Sequence, residues 1–227
     1  MTDQISTYSL ARSQLILGGQ KSGKSRRAEL LARAWLDGAL DREAALIATG
    51  QPWDDEMRER IARHRRDRAE RVPGMATLEE PLDLAAMLAR HSTPQRLLVV
   101  DCLTLWLTNW MMPAQPSEEL ARGWEGQCTA FLAALQAAPG PVILVGNEIG
   151  LGVIPLGSQV RAFVDALGVL NQRAAQSCET VTLMFALMII GALPRMGKTF
   201  HLRLLALAAA LDPSVELHCY DLKGGAD

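Results

Sequence analysis

Gly18-Gly19-Gln20-Lys21-Ser22-Gly23-Lys24-Ser25 is the stretch of sequence that decides the fold. It fits the pattern GxxxxGK followed by Ser or Thr, which is typical of a phosphate-binding loop. The apolar run at 14–17 precedes it and ends in glycines, as a buried strand does before a loop. Apolar residues recur at helical spacing over 24–36. The stretch therefore predicts a strand, a phosphate loop and a helix in succession.

Each residue type in this loop suits phosphate for its own reason. Glycines let the backbone curl until successive N–H groups point at phosphate oxygens, and the N-terminus of the next helix adds partial positive charge. We expect Lys24 to reach the β- and γ-phosphates of a nucleotide and the Ser25 hydroxyl to bind Mg²⁺. All the residues from Gly18 to Ser25 are predicted nucleotide contacts. The alternative is a glycine-rich turn without a ligand.

Strand and helix patterns alternate along the rest of the main segment. Short apolar runs predict strands at 14–17, 44–48, 96–100, 141–145 and 180–185. Helical patterns fall at 24–36, 54–71, 81–91, 117–137 and 159–177. This alternation predicts an α/β fold of the P-loop NTPase type, with a mostly parallel sheet covered by helices on both faces. Ligands are then expected beyond the carboxyl ends of the strands.

Composition excludes several classes of protein. The chain has 227 residues, of which 49% are hydrophobic and 21% charged, with a formal net charge of -2. These values exclude a disordered chain and give no basic field for nucleic acid. The longest apolar run, 181–192, is 12 residues long, whereas a membrane span needs roughly 20. With four widely spaced cysteines, we expect a cytoplasmic protein with reduced thiols, no membrane span and no nucleic-acid partner.

The chain is predicted to have three parts. Residues 1–13 are polar and aperiodic and are expected to form a flexible tail, and 14–186 form the main domain. Residues 187–227 read as an appended β-loop-α-β unit with a second loop, 191–199, that ends in Gly197-Lys198-Thr199. This loop has one residue more than the motif requires, and no strand carrying a metal-site acid follows it. We expect the second loop to bind nucleotide weakly or not at all.

Asp101 ends the strand predicted at 96–100. A phosphate-loop enzyme normally keeps at that place the acid that binds Mg²⁺ through water, so Asp101 is predicted to serve the metal together with Ser25. The alternative is a carboxylate that caps the segment 102–107. Glu148 follows another strand end and is a candidate for the metal or for a substrate hydroxyl.

Other side chains receive structural interpretations. Asp54, Asp55 and Glu56 are expected to cap the helix predicted at 54–71. Trp106 and Trp110, with Met111 and Met112, are apolar at helical spacing and are expected in the core or in a subunit interface. Three of the four histidines lie in no catalytic setting and are expected to be structural or exposed; they are His91, His201 and His218.

Over about residues 15–186 the chain resembles the bifunctional adenosylcobinamide kinase / adenosylcobinamide-phosphate guanylyltransferase (CobU/CobP) family of cobalamin biosynthesis. The resemblance rests on ordered motifs: the loop 18–25 with Arg26 and Ala28-Glu29, then 47–51, 54–57, 60–64, 77–81, 100–104 with 108–109, 147–155, and 161–165 with 171–173. Met75 departs from the family's usual tryptophan, and Val164 and Val169 depart from usual arginines.

The resemblance implies two activities and their participants. The first is phosphate transfer from ATP or GTP to adenosylcobinamide, and the second is transfer of GMP from GTP through a histidine to give adenosyl-GDP-cobinamide. It places the nucleophile at His64, in an arginine-rich helix, where the alternative is an incidental histidine on a solvated face. It adds Ala48, Thr49, Gly50 and Glu79 to the nucleotide contacts. It further implies a homotrimer with the site between subunits.

The segment 187–227 resembles something else, the first β-loop-α-β unit of DNA translocases of the FtsK/SpoIIIE type, cut before their acidic metal-site strand. This leaves two alternatives to the enzyme. One is a fragment of a DNA-translocating ATPase, and the other is a nucleotide-binding module without turnover.

Overall fold

The computed structural model describes residues 10–113, 118–152 and 155–184. The expected tail at 1–13 overlaps this part of the chain only at 10–13. The expected C-terminal unit at 187–227, with the second loop, His201 and His218, lies outside the described residues.

The described residues form six strands and six helices. The strands are β1 Ser13–Gly18, β2 Glu43–Ala48, β3 Ala76–Glu79, β4 Arg96–Asp101, β5 Val142–Asn147 and β6 Thr180–Met184. The helices are α1 Lys24–Asp37, α2 Asp55–Arg71, α3 Leu84–His91, α4 Leu103–Met111, α5 Glu118–Ala137 and α6 Ser158–Ser177. Predicted elements agree with these bounds to within a few residues.

The strands form one sheet in the order β3-β2-β4-β5-β1-β6, and every pairing between neighbours is parallel. The carboxyl ends of all six strands therefore meet at one edge, because each strand returns to the sheet through a crossover. Gly18 pairs in register with Asn147, and Ala48 pairs with Asp101 on one side and with Glu79 on the other. The predicted α/β fold with a parallel sheet is confirmed.

Apolar side chains pack on both faces of the sheet. Residues of α3, α4, α5 and α6 form the larger cluster on one face, and residues of α1 join the cluster on the other. Trp106 is fully buried and its ring meets those of Trp124 and Phe131 at 5.3 and 5.0 Å between centroids. Trp110 is also buried, so the expectation of a core position for this pair is confirmed. No helix in the described ranges is long and apolar enough to cross a bilayer.

Two elements were not predicted, and the sequence shows why. β3 is a four-residue edge strand whose side chains are mostly exposed, so no apolar run marks it. α4 starts one residue after β4 ends, and its apolar residues continue the apolar run of that strand. A short apolar run does not distinguish a buried strand from a buried helix.

Candidate active site

The backbone of the phosphate loop departs from ordinary conformations at three places. φ is +155° at Gly18, +57° at Lys21 and +90° at Gly23, and Lys21 is the one non-glycine residue with positive φ in the described chain. Gly23 is the N-cap of α1, and no side chain bonds the first amides of the helix. The helix N-terminus therefore faces the loop with donors that suit an anion.

The amine of Lys24 lies inside this loop. Nζ donates hydrogen bonds to the carbonyl oxygen of Gly19 at 2.6 Å and to Ser22 Oγ at 3.3 Å. Burial lowers the pKa of Lys24, while the charges of Cys102 and Asp101 oppose that shift. A desolvated cation held by one loop carbonyl and one loop hydroxyl can exchange these partners for a phosphate oxygen.

Asp101 lies beneath the loop at the end of β4. Burial raises the pKa of its carboxyl, and a hydrogen bond from Ser25 with the charges of His64, Arg68 and Lys24 opposes the rise. These groups from α1 and α2 therefore surround one carboxylate. The capping alternative is not what the structure shows, because the N-cap of α4 is Cys102, whose Sγ accepts a hydrogen bond from Leu105 N at 3.5 Å.

His64 projects from the middle of α2 and is exposed. The next residue, Arg65, forms an ion pair with Glu79, so α2 carries His64 to the edge of the sheet where β3 and β4 end. The helix begins as expected, with Asp54 at the N-cap and Asp54 Oδ1 accepting from Met57 N at 2.7 Å. His64 lies 39 residues after Ser25 in the sequence (64 − 25), and the fold brings it to the edge of the sheet that holds the loop.

Glu79 ends β3 in the row that contains Ala48 and Asp101. Its carboxylate forms an ion pair with Arg65 of α2, and both side chains are more than half exposed. Glu79 therefore reaches toward the histidine helix from the far side of the sheet. Its contact with nucleotide stays a prediction.

Thr49 has a structural role that the family motif at 47–51 did not indicate. Its buried hydroxyl donates to Cys102 O and accepts from Cys102 N, both at 2.8 Å, and so connects the ends of β2 and β4. Gly50 follows it, half-buried, at the same edge. Nucleotide contacts by Ala48, Thr49 and Gly50 stay predictions.

Two buried asparagines and the partly buried Thr104, for which the sequence analysis predicted no role, hold the strand ends in place. Asn109 of α4 donates to the carbonyls of Thr49 at 2.8 Å and Pro81 at 2.9 Å. Asn171 of α6 donates to Asn147 O at 3.1 Å, and Thr104 accepts from Asn147 N at 2.9 Å. The sequence signal that could have identified Asn109 and Asn171 is an asparagine among the apolar residues of a helix, because a buried amide needs specific hydrogen-bond partners.

Glu148 lies directly beside the loop. Its amide donates to Gly18 O at 3.0 Å, and its carboxylate accepts from Gly150 N at 2.7 Å. The carboxylate thus stabilises the turn after β5. A role toward metal or substrate stays a prediction.

Fold and loop together define a nucleotide-binding protein of the phosphate-loop α/β class. Within that class, the chain belongs to the cobinamide kinase / cobinamide phosphate guanyltransferase family (CobU), whose model matches residues 14–190. The resemblance inferred from the ordered motifs is confirmed.

Curated relatives agree with this family. The chain is 48% identical over 172 residues to the bifunctional adenosylcobalamin biosynthesis protein CobP of Pseudomonas aeruginosa, covering 76% of this chain and 92% of that protein. It is 32% identical over 178 residues to the bifunctional adenosylcobalamin biosynthesis protein CobU of Escherichia coli, covering 75% and 93%. The protein of the same name from Salmonella typhimurium is 31% identical over 178 residues, with the same coverage.

Proposed function

We propose that this protein phosphorylates adenosylcobinamide with ATP or GTP and then transfers GMP from GTP, through His64, to the phosphorylated corrinoid. One observation carries the proposal: Lys24 lies inside the phosphate loop, and the ion pair of Arg65 with Glu79 holds the helix of His64 at the same edge of the sheet. A phosphate-binding cradle and a nucleophile thus share one charged site. Family membership supports both activities.

The kinase step requires positioning and charge neutralisation more than covalent help from the protein. Loop amides bind the phosphates, and Lys24 exchanges its bond to Gly19 O for a γ-phosphate oxygen. The corrinoid hydroxyl then attacks the γ-phosphorus, the bond to the bridging oxygen breaks, and nucleoside diphosphate leaves. The hydroxyl proton is released to solvent or to a nearby base.

The residues present fit a magnesium ion that arrives with the nucleotide. Mg²⁺ is usually held by one or two protein oxygens together with substrate phosphates, and Ser25 and Asp101 supply two adjacent oxygen groups. In the described part of the chain, no cluster of three or more His, Cys, Asp or Glu side chains could hold a metal alone. When bound there, the ion would supply positive charge to the phosphates.

The transfer step uses His64 as a nucleophile. The imidazole attacks the α-phosphorus of GTP, pyrophosphate leaves, and a phosphoramidate joins GMP to the histidine. The phosphate of adenosylcobinamide phosphate then attacks the same phosphorus, the P–N bond breaks, and the free histidine returns. Arginines on α2 stabilise the phosphate charge, as guanidinium groups do; they are Arg60, Arg63, Arg65, Arg66 and Arg68.

The assembly that we propose is a homotrimer with the site between subunits, working in the cytoplasm. Leu151 and Leu156, in the segment after β5, are 75% and 97% exposed. Val160 and Val169 of α6 are also exposed. Exposed apolar side chains in one region support a subunit contact. Sedimentation equilibrium should give three chains per particle, and a monomer would contradict this part of the proposal.

The decisive experiment incubates the protein with GTP labelled at the α-phosphate and analyses the adduct. A base-stable, acid-labile label on the protein is expected, because a phosphoramidate on histidine has that stability. A motor fragment or a binding module without turnover would give no covalent label. The kinase half is tested by transfer of label from γ-labelled ATP or GTP to adenosylcobinamide.

A further inference from the structure

Helix α2, which carries His64, has little apolar attachment to the rest of the protein. It has 17 residues, and its one buried side chain is that of Arg68. Because apolar packing normally fixes a helix on a domain, the position of α2 must depend on its polar contacts. These contacts concentrate in its last two turns.

The first of these contacts joins α2 to the helix of the phosphate loop. Glu29 of α1 is 4% exposed, and its Oε2 accepts a hydrogen bond from Arg71 Nη1 at 2.8 Å. This bond is the main reason that the pKa of Arg71 is raised. Glu29 lies in the same helix as Lys24, so its position is fixed relative to the loop.

The second contact is made by Arg68. Arg68 is 7% exposed, and its guanidinium donates a hydrogen bond to Thr77 Oγ1 of β3 at 3.1 Å. Burial lowers the pKa of Arg68, and the charges of Glu29 and Asp101 oppose this shift. Arg68 therefore lies among the loop helix, the end of β4 and the edge strand β3.

Helical spacing connects these contacts to the nucleophile. His64, Arg68 and Arg71 stand at positions i, i+4 and i+7 and so share one face of α2. The buried carboxylate of Glu29 therefore binds α2 on the same helix face that carries His64. Arg71 bonds to α1 and Arg68 bonds to β3, so the two contacts hold this face of α2 from two elements.

We propose that Glu29, acting through Arg71 and Arg68, is a positioning residue that holds His64 over the phosphate loop for nucleotidyl transfer. This inference rests on the proposed function of His64. The kinase step does not need it, because phosphate transfer to the corrinoid uses the loop and Asp101 of β4 and requires no nucleophile on α2. A nucleophile displaced by about 1 Å can lose two orders of magnitude in rate.

The test compares Glu29→Gln with Asp37→Asn, a matched control that removes an exposed carboxylate of α1 paired with Arg33. In Glu29→Gln, the maximal rate of GMP-adduct formation should fall at least about tenfold, with the KM for GTP and the kinase rate within about twofold of wild type. Asp37→Asn should match wild type in all three. An unchanged adduct rate, or equal losses in both activities, would overturn the proposal.

Hydrogen exchange gives a readout that does not depend on activity. Amides of 58–71 should exchange faster in Glu29→Gln than in wild type or Asp37→Asn, while those of β1, β4 and β5 should not change. If Glu29→Gln does not fold, Arg71→Gln removes the same bond from its 40% exposed partner and should give the same pattern. A wild type that forms no adduct would refute the proposed function, whereas unchanged exchange over α2 would refute the positioning role alone.

Discussion

The amine of Lys24 is bonded to the carbonyl oxygen of Gly19 at 2.6 Å, across the loop that both residues belong to. The lysine thus occupies the interior of the loop. Phosphate must take over this contact, and the low solvation of the amine favours the exchange, because burial already lowers its pKa. This relationship leads to the first prediction.

Lys24→Ala should lower the rate of adenosylcobinamide phosphorylation at least about a hundredfold. Removing a comparable charge-stabilising donor costs about 3 kcal/mol in the transition state. Steady-state kinetics with γ-labelled nucleotide measure the effect, and Lys198→Ala, in the second loop, is the control. Near-normal turnover in Lys24→Ala with loss in Lys198→Ala would assign the activity to the other loop.

His64→Ala should abolish the GMP adduct and the transfer of GMP, since the phosphoramidate needs the imidazole nitrogen. Phosphorylation of adenosylcobinamide should persist, because that step needs no protein nucleophile. His91→Gln serves as the control, as His91 ends α3 at the opposite edge of the sheet from the loop. Undiminished labelling of the His64 variant would contradict the assignment.

Much of the fold follows from local pattern. Alternating apolar runs and helical periodicities predicted five of the six strands, and the loop 18–25 marked the edge where ligand binds. The order β3-β2-β4-β5-β1-β6 was not predictable, because it depends on which apolar faces pair over long separations. β3 lacks an apolar run, and α4 continues the apolar run of β4, so the helical spacing of Trp106 and Trp110 was the one sign of α4 and its bounds were not predicted.

Site residues that belong to a sequence motif could be predicted, whereas contacts that depend on the packing of helices could not. Lys24 and Ser25 follow from the loop pattern, Asp101 follows from its place after a strand, and His64 required the family resemblance. The pair Glu29 and Arg71 gave no signal in the sequence. Glu29 bonds to Arg71, which is 42 residues away in the sequence, and a single sequence does not show which helices pack against each other.

Asp101→Asn should remove a pH-dependent part of the stability. Burial raises the pKa of Asp101 above its ordinary value of 3.8, so the native state binds the extra proton. This contribution to the free energy of unfolding is full below about pH 3.8 and is lost as pH rises through the native pKa. In urea titrations without metal, the wild type should therefore lose stability relative to the variant as pH rises.

The same variant should lose the kinase activity at neutral pH while being at least as stable as wild type. An ionised carboxylate in a desolvated site costs stability, and a neutral amide of the same shape does not carry that cost. A wild type that gains stability over Asp101→Asn between pH 4 and 7 would contradict this prediction.

Equilibrium titration with a non-hydrolysable GTP analogue should give one site per chain. The second loop, 191–199, has one residue more than the motif requires, so we expect it to bind nucleotide weakly or not at all. Lys198→Ala should leave the stoichiometry at one, whereas Lys24→Ala should weaken the single site. Two sites, the second lost in Lys198→Ala, would favour the DNA-translocase alternative for the C-terminal segment.

Gly18 marks the point where the sheet leaves no room for a side chain beside the loop. A Cβ there would lie 2.2 Å from the carbonyl oxygen of Met184 on the neighbouring strand β6, whereas a Cβ at Gly19 would meet nothing within 4 Å. Gly18→Ala should therefore lower the free energy of unfolding by about 1–3 kcal/mol, the usual effect of forcing an atom into packed structure. Gly19→Ala should change it by less than about 0.5 kcal/mol. Urea denaturation of the two variants measures this difference, and equal stabilities would show that β6 does not pair with β1 as closely as the structure has it.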